Sequence, residues 1–402
     1  MLGAFLAGCG SGNGKDGGET GGTGGTGGAG TTRTMPTAEG NTADGDTIKV
    51  GMIASLNGEN QPWGVDSKKG AELALEEFLA ANPDMKVQLI VEDTNSKPEG
   101  GKSAAEKLVG EDRVLAIIGE VASGVTIPAA DVCQEQAVPI VAVGATRVDI
   151  TEKGAAVFRA CFTDNFQGAA MAKFAYEDLG LRNVAIFTDR KLPYSTGLSD
   201  VFTKAFESFG GKIAIEEFYE GGNFDFKAQL TKIKEANPDG LFCSGYFTEV
   251  GPIARQREQI GLNVPMFGGD GWDSTKLIDS GGTGITGGHF LNHYHNSEDR
   301  PEVKDFVAKF KAKFGAEPAT AMGALGYDAM NVVLTALKAS GVKNSKELIG
   351  AIQAVKDMKG VSGSITMGAD GNAQKPALVL KVEKTGFVPV KQIPFFTFEE
   401  KK

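Results

Sequence analysis

From Ile48 onward, short apolar runs alternate with longer amphipathic ones, and few folds accommodate such a pattern. "IKVGMIA" reads as a strand, and residues 65–81 then carry Ala71, Ala74, Leu75, Phe78 and Leu79 on one stripe at helical spacing. "VQLIVED", "VLAIIG" and "VPIVAVG" read as further strands, separated by helical runs at "EGGKSAAEKLVG" and "SGVTIPAADVCQEQ". Apolar runs without polar alternation suit strands covered on both faces. Regular strand–helix alternation predicts βαβ units, and so an α/β fold with a doubly wound parallel sheet.

The alternation restarts after Phe158. Helices are predicted at 165–179, 197–209, 226–236 and 248–260, with strands at "NVAIFTD", "KIAIEEFY", "DGLFCSG" and "VPMFGG". That is a second doubly wound domain of similar build. Beyond Asp299 come three predicted helices, at 301–314, 320–339 and 345–354, and the strands "GSITM", "ALVLKVE" and "VPVKQI". This tail is too short for a third domain, so it is expected to return and complete the first two.

The segment before Ile48 has the opposite character. More than half of residues 10–30 are glycine, and no apolar periodicity offsets the entropy of ordering them. Residues 10–46 are therefore expected to be a disordered tether, spanning about 35 Å as a flexible coil. Ahead of it, Leu6-Ala7-Gly8-Cys9 resembles a bacterial lipobox, in which the cysteine becomes the lipidated first residue. Only eight residues precede Cys9 and none is basic, which is short for a secretory signal. The expectation is that residues 1–9 are the end of a longer signal whose start lies upstream of Met1. Cys133, Cys161 and Cys243 are expected to be buried free thiols, with a Cys133–Cys161 disulfide as the alternative.

The net charge of −10 and a pI near 5.1 argue against a nucleic-acid partner, whose phosphates would repel the chain. No run of eighteen apolar residues predicts a membrane-spanning helix.

In open parallel sheets, ligands bind beyond the carboxyl ends of the strands. The loop after "LAIIG" places Ser123 at a helix N-terminus, where free amides attract an anion. The loop after "VPIVAV" offers the Thr146 hydroxyl, backbone amides and the Gly144 carbonyl. Hydroxyls and N–H groups on neighbouring strand ends suit a ligand carboxylate.

At this level the chain resembles the periplasmic leucine/isoleucine/valine-binding proteins, the type I solute-binding components of ABC importers. The likeness runs from Ile48 to about Ile393 and is carried by "AIIGEVASGVTIPAADV", "VPIVAVGATR", "VFRACFTDNFQG", "NVAIFTD", "GPIARQREQIGLNVPMFGGDGW" and "SITMGADGN". It implies two Rossmann-like lobes joined by three crossovers: residues 46–163 plus 293–364, and residues 164–292 plus 365–402. It implies that Ser123 and Thr146, with neighbouring Ala122 and Ala145, hold an α-carboxylate. Gly144 and Asp270 would hold the α-ammonium, and Trp63, Tyr194 and Tyr246 would line the cleft. It further implies an amino-acid ligand, branched-chain types foremost, with an ABC permease and ATPase as partners. A lipid anchor through Cys9, an extracytoplasmic location and a monomeric binding protein complete the expectation.

A zwitterion needs donors on one side and an acid on the other, and charge-assisted bonds from both lobes favour closure. Glu120, at a strand end, either contacts a polar part of the ligand or faces solvent. Arg147, Arg190 and Lys191 are further charges that a purely aliphatic ligand does not require. Among His289, His293 and His295, alternation puts His293 and His295 on one strand face, open to a metal or to a plain hinge role. No metal or other cofactor is assigned.

An enzyme is the competing class, since doubly wound sheets host many. The sequence has no G-x-S-x-G elbow, no P-loop, and no histidine in the expected cleft loops. A receptor for an aromatic acid, an amide or urea, or a ligand-sensing module, is a second alternative. There Asp270 discriminates, because a ligand without an ammonium group would leave a buried acid unpaired.

Overall fold

The computed structural model describes residues 33–398. Two sheets dominate it. The first comprises β1 (Thr47–Ala54), β2 (Lys86–Asp93), β3 (Ala116–Ile118), β4 (Ile140–Ala142) and β5 (Val157–Arg159), in the order β2-β1-β3-β4-β5 and parallel throughout. The second begins with β6 (Asn183–Asp189), β7 (Lys212–Tyr219), β8 (Gly240–Cys243), β9 (Met266–Gly268) and β10 (His289–Asn292). These repeat the same parallel order, β7-β6-β8-β9-β10. A short hairpin, β11 (Met358–Gly360) and β12 (Gly363–Ile365), stands apart. Then β13 (Ala377–Glu383) and β14 (Gly386–Ile393) add antiparallel strands to the second sheet beside β10.

The predicted alternation holds, and β5 and β10 are added to it. Both are short strands leading into a crossover, and three or four residues carry little periodic signal. The tail does return to both halves. Helix Met322–Ser340 packs along helix Gln61–Ala81 over the first sheet, while β13 and β14 extend the second. The third crossover falls later than the expected boundary at 364/365. Residues 367–372 still bond to the first half, through Met367 N–H to Val355 O and Arg159 N–H to Gly371 O.

The expectation of a disordered tether up to residue 46 is corrected for 33–46, which lie as a strap on the first half. The Arg33 guanidinium donates to the carbonyls of Val157, Gly154 and Ala155 and to Gln353 Oε1, and stacks over Phe158. Asn41 Nδ2 donates to Val109 O and Val114 O, and Asn41 and Ser345 exchange two further bonds. Glycine content misled here: the last residues of the segment carry few glycines and enough side-chain donors to compensate their ordering. Residues 10–32 and Cys9 lie outside the described residues.

Cys133, Cys161 and Cys243 are buried free thiols, so the alternative of a disulfide is set aside. Burial pushes the Cys161 and Cys243 thiols up to about 12. Among the described residues, no helix is long and apolar enough to cross a membrane.

Candidate functional site

In a sheet ordered 2-1-3-4-5, the connections leave in opposite directions from the first and third strands, opening a crevice at their carboxyl ends. Each half of this chain has one. The loops after β1 and β3 bring Trp63 and Ser123; those after β6 and β8 bring Tyr194 and Tyr246; β4 adds Gly144 and β9 adds Asp270. Trp63, Val121, Ser123, Gly144, Tyr194, Tyr246, Asp270, Gly271 and Met322 enclose one small space, with room for about one water.

Two close backbone approaches build this arrangement. A Cβ on Gly64 would lie 2.0 Å from Ser55 O, so only glycine lets helix Gln61–Ala81 start hard against the end of β1. That seats Trp63 in the cleft. A Cβ on Gly269 would lie 2.5 Å from the Tyr194 hydroxyl, so glycine lets the Asp270 loop meet that tyrosine.

The two sides of the cleft touch across it. Trp63 packs edge-on against Tyr246 and Phe247, with ring centroids 5.0 Å apart in each pair. Its Nε1–H donates to Asp273 O at 2.7 Å, and the Ala321 N–H donates to Asp273 Oδ2 at 2.6 Å. Arg147 Nη1 donates to Pro193 O at 2.6 Å.

Asp270 is buried and held by neutral donors. The Tyr194 hydroxyl donates to Oδ1 at 2.9 Å, and His293 Nε2 lies 3.0 Å from Oδ2. Its own N–H donates to Gln167 Oε1 at 2.9 Å. No positive charge is paired with it among these contacts. On the facing side, Ser123 Oγ accepts from Arg147 N–H at 3.4 Å, which leaves the hydroxyl proton free to donate. Arg159, fully buried, donates to the carbonyls of Ala145, Arg147 and Val148, and so fixes the loop carrying Thr146.

The residues expected at the site divide into three groups. Trp63, Ser123, Gly144, Tyr194, Tyr246 and Asp270 meet around the central space. Ala122, Ala145 and Thr146 are buried beside it without bordering it. The Thr146 hydroxyl lies near the Asp164 carboxyl and partly opposes its upward shift, yet neither it nor Asp164 Oδ2 has a well-formed partner.

Glu120 belongs elsewhere, and both readings offered for it are corrected. It is neither aimed at the cleft nor exposed: Oε2 accepts from Val121 N–H and Ala122 N–H, and Oε1 accepts from Ser55 and Thr94 hydroxyls. It therefore serves the start of helix Ser123–Glu135, of which Ser123 is the first residue and Ala122 the cap. The extra cations are also engaged away from the space. Arg147 pairs with Asp149 at 2.8 Å, Lys191 with Glu220 at 2.6 Å, and Arg190 stacks on Phe218.

A family model described as "Periplasmic binding protein" matches residues 47–386. The chain belongs to the periplasmic binding protein family. Among its relatives in that family is the Leu/Ile/Val-binding protein homolog 3 of Brucella melitensis. It is 32% identical over 334 residues, covering 82% of this chain and 89% of the relative. A leucine binding protein LivK from Thermotoga maritima superposes with a TM-score of 0.82 at 36% identity, covering 86% of this chain and 99% of that one. The branched-chain amino acid transporter substrate binding protein LivJ from Streptococcus pneumoniae, solved with isoleucine, superposes with a TM-score of 0.79 at 28% identity. That match covers 86% of this chain and all of that one, 100%.

Sequence reading missed some features of this periplasmic binding protein's cleft. Met322 reaches it from the start of a distant helix, and no local motif marks that return. Val121 and Gly271 are neighbours of residues already singled out. The histidine cluster splits: His293 is buried against Asp270, while His295 Nδ1 faces Ser297 Oγ at 2.7 Å. Among the described residues, no group of three or more His, Cys, Asp or Glu side chains is gathered as a metal site. Trp272 is a packing residue, its Nε1–H donating to Cys243 O at 3.0 Å.

Proposed function

We propose that this chain captures an α-amino acid with an uncharged aliphatic side chain between its two lobes and delivers it to the permease of an ABC importer. One observation carries the reading. Asp270 is the only carboxyl group bordering the central space among the described residues, no Lys, Arg or His borders it, and Asp270 faces hydroxyl and backbone donors at the start of a helix. A zwitterion satisfies both sides at once: its ammonium meets Asp270 and the Gly144 carbonyl, and its carboxylate meets Ser123 at the start of the helix. The remaining wall is Trp63, Val121, Tyr246 and Met322, which favours an aliphatic side chain. Since Glu120 and Arg147 are engaged within the protein, neither is left for a charged side chain.

The lobes are assigned as residues 46–163 plus 293–364 and 164–292 plus 365–402, with the short 367–372 stretch resting on the first. Capture without chemistry follows from a cleft whose polar groups are arranged for binding a zwitterion. The protein acts outside the cytoplasm as a monomer, and lipidation at Cys9 keeps it at the membrane.

Titration calorimetry with leucine, isoleucine, valine, lysine, glutamate, 4-methylpentanoate and 4-hydroxybenzoate tests the ligand class. The aliphatic amino acids are expected to bind, and 4-methylpentanoate, which lacks only the amine of leucine, to bind at least 100-fold more weakly. Binding of 4-hydroxybenzoate with no binding of any amino acid would overturn the reading in favour of an aromatic-acid receptor.

A further inference from the structure

His293 stands where the second half hands the chain back to the first. It follows β10 directly and precedes helix Pro301–Phe314. The side chain is fully buried, and its ring lies face to face with Phe162 at 3.8 Å between centroids. Nε2 sits 3.0 Å from Asp270 Oδ2, while Nδ1 has no partner. A lone pair facing a carboxylate would be repelled, so the contact selects the tautomer with the proton on Nε2.

We propose that His293 is a positioning residue for ligand recognition, its Nε2–H fixing the Asp270 carboxylate in the orientation that receives the ligand's ammonium group. The inference rests on the reading of Asp270 given above. Its physical logic is selectivity of charge. An ammonium or guanidinium in this place would neutralise Asp270 and compete with the ligand. A neutral ring holds the carboxylate without cancelling its charge. Tyr194 does the same for the other oxygen, and a carboxylate with about four lone-pair sites keeps capacity for the ligand. The charged groups facing the ring are Asp270 and Lys375; burial and Lys375 disfavour a cationic ring, with Asp270 opposing, and its titration is pushed down to about 4. The stacking on Phe162 sets the ring plane and so the direction of the donated bond.

The test is calorimetric titration of the full chain with leucine, alongside thermal melting, for His293→Gln, His293→Phe and Asp270→Ala. Gln keeps a neutral N–H near Nε2 but loses the stacking; Phe keeps the stacking but has no donor. A positioning role predicts that Gln binds within about threefold of wild type while Phe loses about 10- to 100-fold. If Phe binds like wild type, whether Gln does or not, the ring is packing alone and the inference fails. Should the Phe variant not fold, His293→Met supplies the donorless arm. An Asp270→Ala protein that still binds leucine normally would instead sink the site assignment, a result distinct from failure at His293.

Discussion

Glu120 and Asp270 sit at the same offset from a strand end, one in each sheet, although β9 is the counterpart of β4 and not of β3. Each is the second residue beyond a parallel strand, β3 for one and β9 for the other, and each follows a glycine. Both are almost wholly buried. Their surroundings differ. Glu120 spends its oxygens on two backbone amides and two hydroxyls of its own lobe, whereas Asp270 accepts from one tyrosine and one histidine and borders the cleft. An acid at the end of a strand can thus be engaged wholly within its lobe or border the cleft, and the neighbouring donors decide which; the recognition role proposed for Asp270 depends on the second case.

The sharpest way to break this comparison is a matched pair of isosteric changes. Asp270→Asn removes the charge from the position proposed to meet the ligand's ammonium group and should weaken leucine binding by about 100-fold or more in calorimetry. Glu120→Gln keeps one acceptor for the two amides, and the hydroxyls of Ser55 and Thr94 can turn to accept from its NH2; affinity should stay within about threefold. Equal losses in the two variants would erase the distinction.

The next effect is on stability. Glu120→Ala strands two buried amides and is expected to cost ~2–4 kcal/mol in urea unfolding. The same truncation at Asp270 should cost less, because it also removes a buried charge that no cation balances. A larger loss at Asp270 would reverse the assignment of roles.

A smaller effect is expected in the pH dependence. Burial pushes the carboxyls of Asp164 and Asp273 up to about 7. Raised folded-state values mean that their contribution is greatest when protonated and is lost as pH rises from about 4 through about 7. His293, held down near 4, acts oppositely, its contribution being lost as pH falls from about 6.5 towards 4. In Asp164→Asn, unfolding midpoints should therefore decline less between pH 5 and pH 7.5 than in wild type. An unchanged slope would show that Asp164 is already ionised in the folded state. The smallest effect serves as a control: Arg33→Ala should lower the melting temperature by ~3 °C while leaving leucine affinity unaltered, since its partners lie away from both acids.

Much of the architecture was legible because parallel strands buried on both faces must be nearly all apolar, and their helices must carry one apolar stripe. "NVAIFTD" therefore marks the buried parallel strand β6 residue for residue, while "KIAIEEFY" and "ALVLKVE" match the edge strand β7 and the antiparallel β13 through their β-branched and aromatic residues. The cleft was legible to the extent that strand-end loops carry it, which is why Ser123 and Gly144 stood out, whereas Asp270 was reached only through the family resemblance. What the sequence left open depends on contacts between remote segments. Glu120 and Asp270 look alike in "IIGE" and "FGGD" until Ser55, Thr94, Tyr194 and His293 are brought beside them. Likewise Arg33 reads as a stray charge in a glycine-rich lead until its carbonyl partners, more than 100 positions away, come into reach.

The strap formed by residues 33–46 has a mechanical consequence. Its hydrogen bonds land on Val109, Val114, Gly154, Ala155, Val157, Lys343, Ser345 and Gln353, all on the side of the first sheet. A pull applied at Arg33 is therefore borne by one half of the molecule and does not pass through the crossovers. The second half can swing against the first without working against that mooring, and stretching the chain from this end would peel the strap before it strained the cleft.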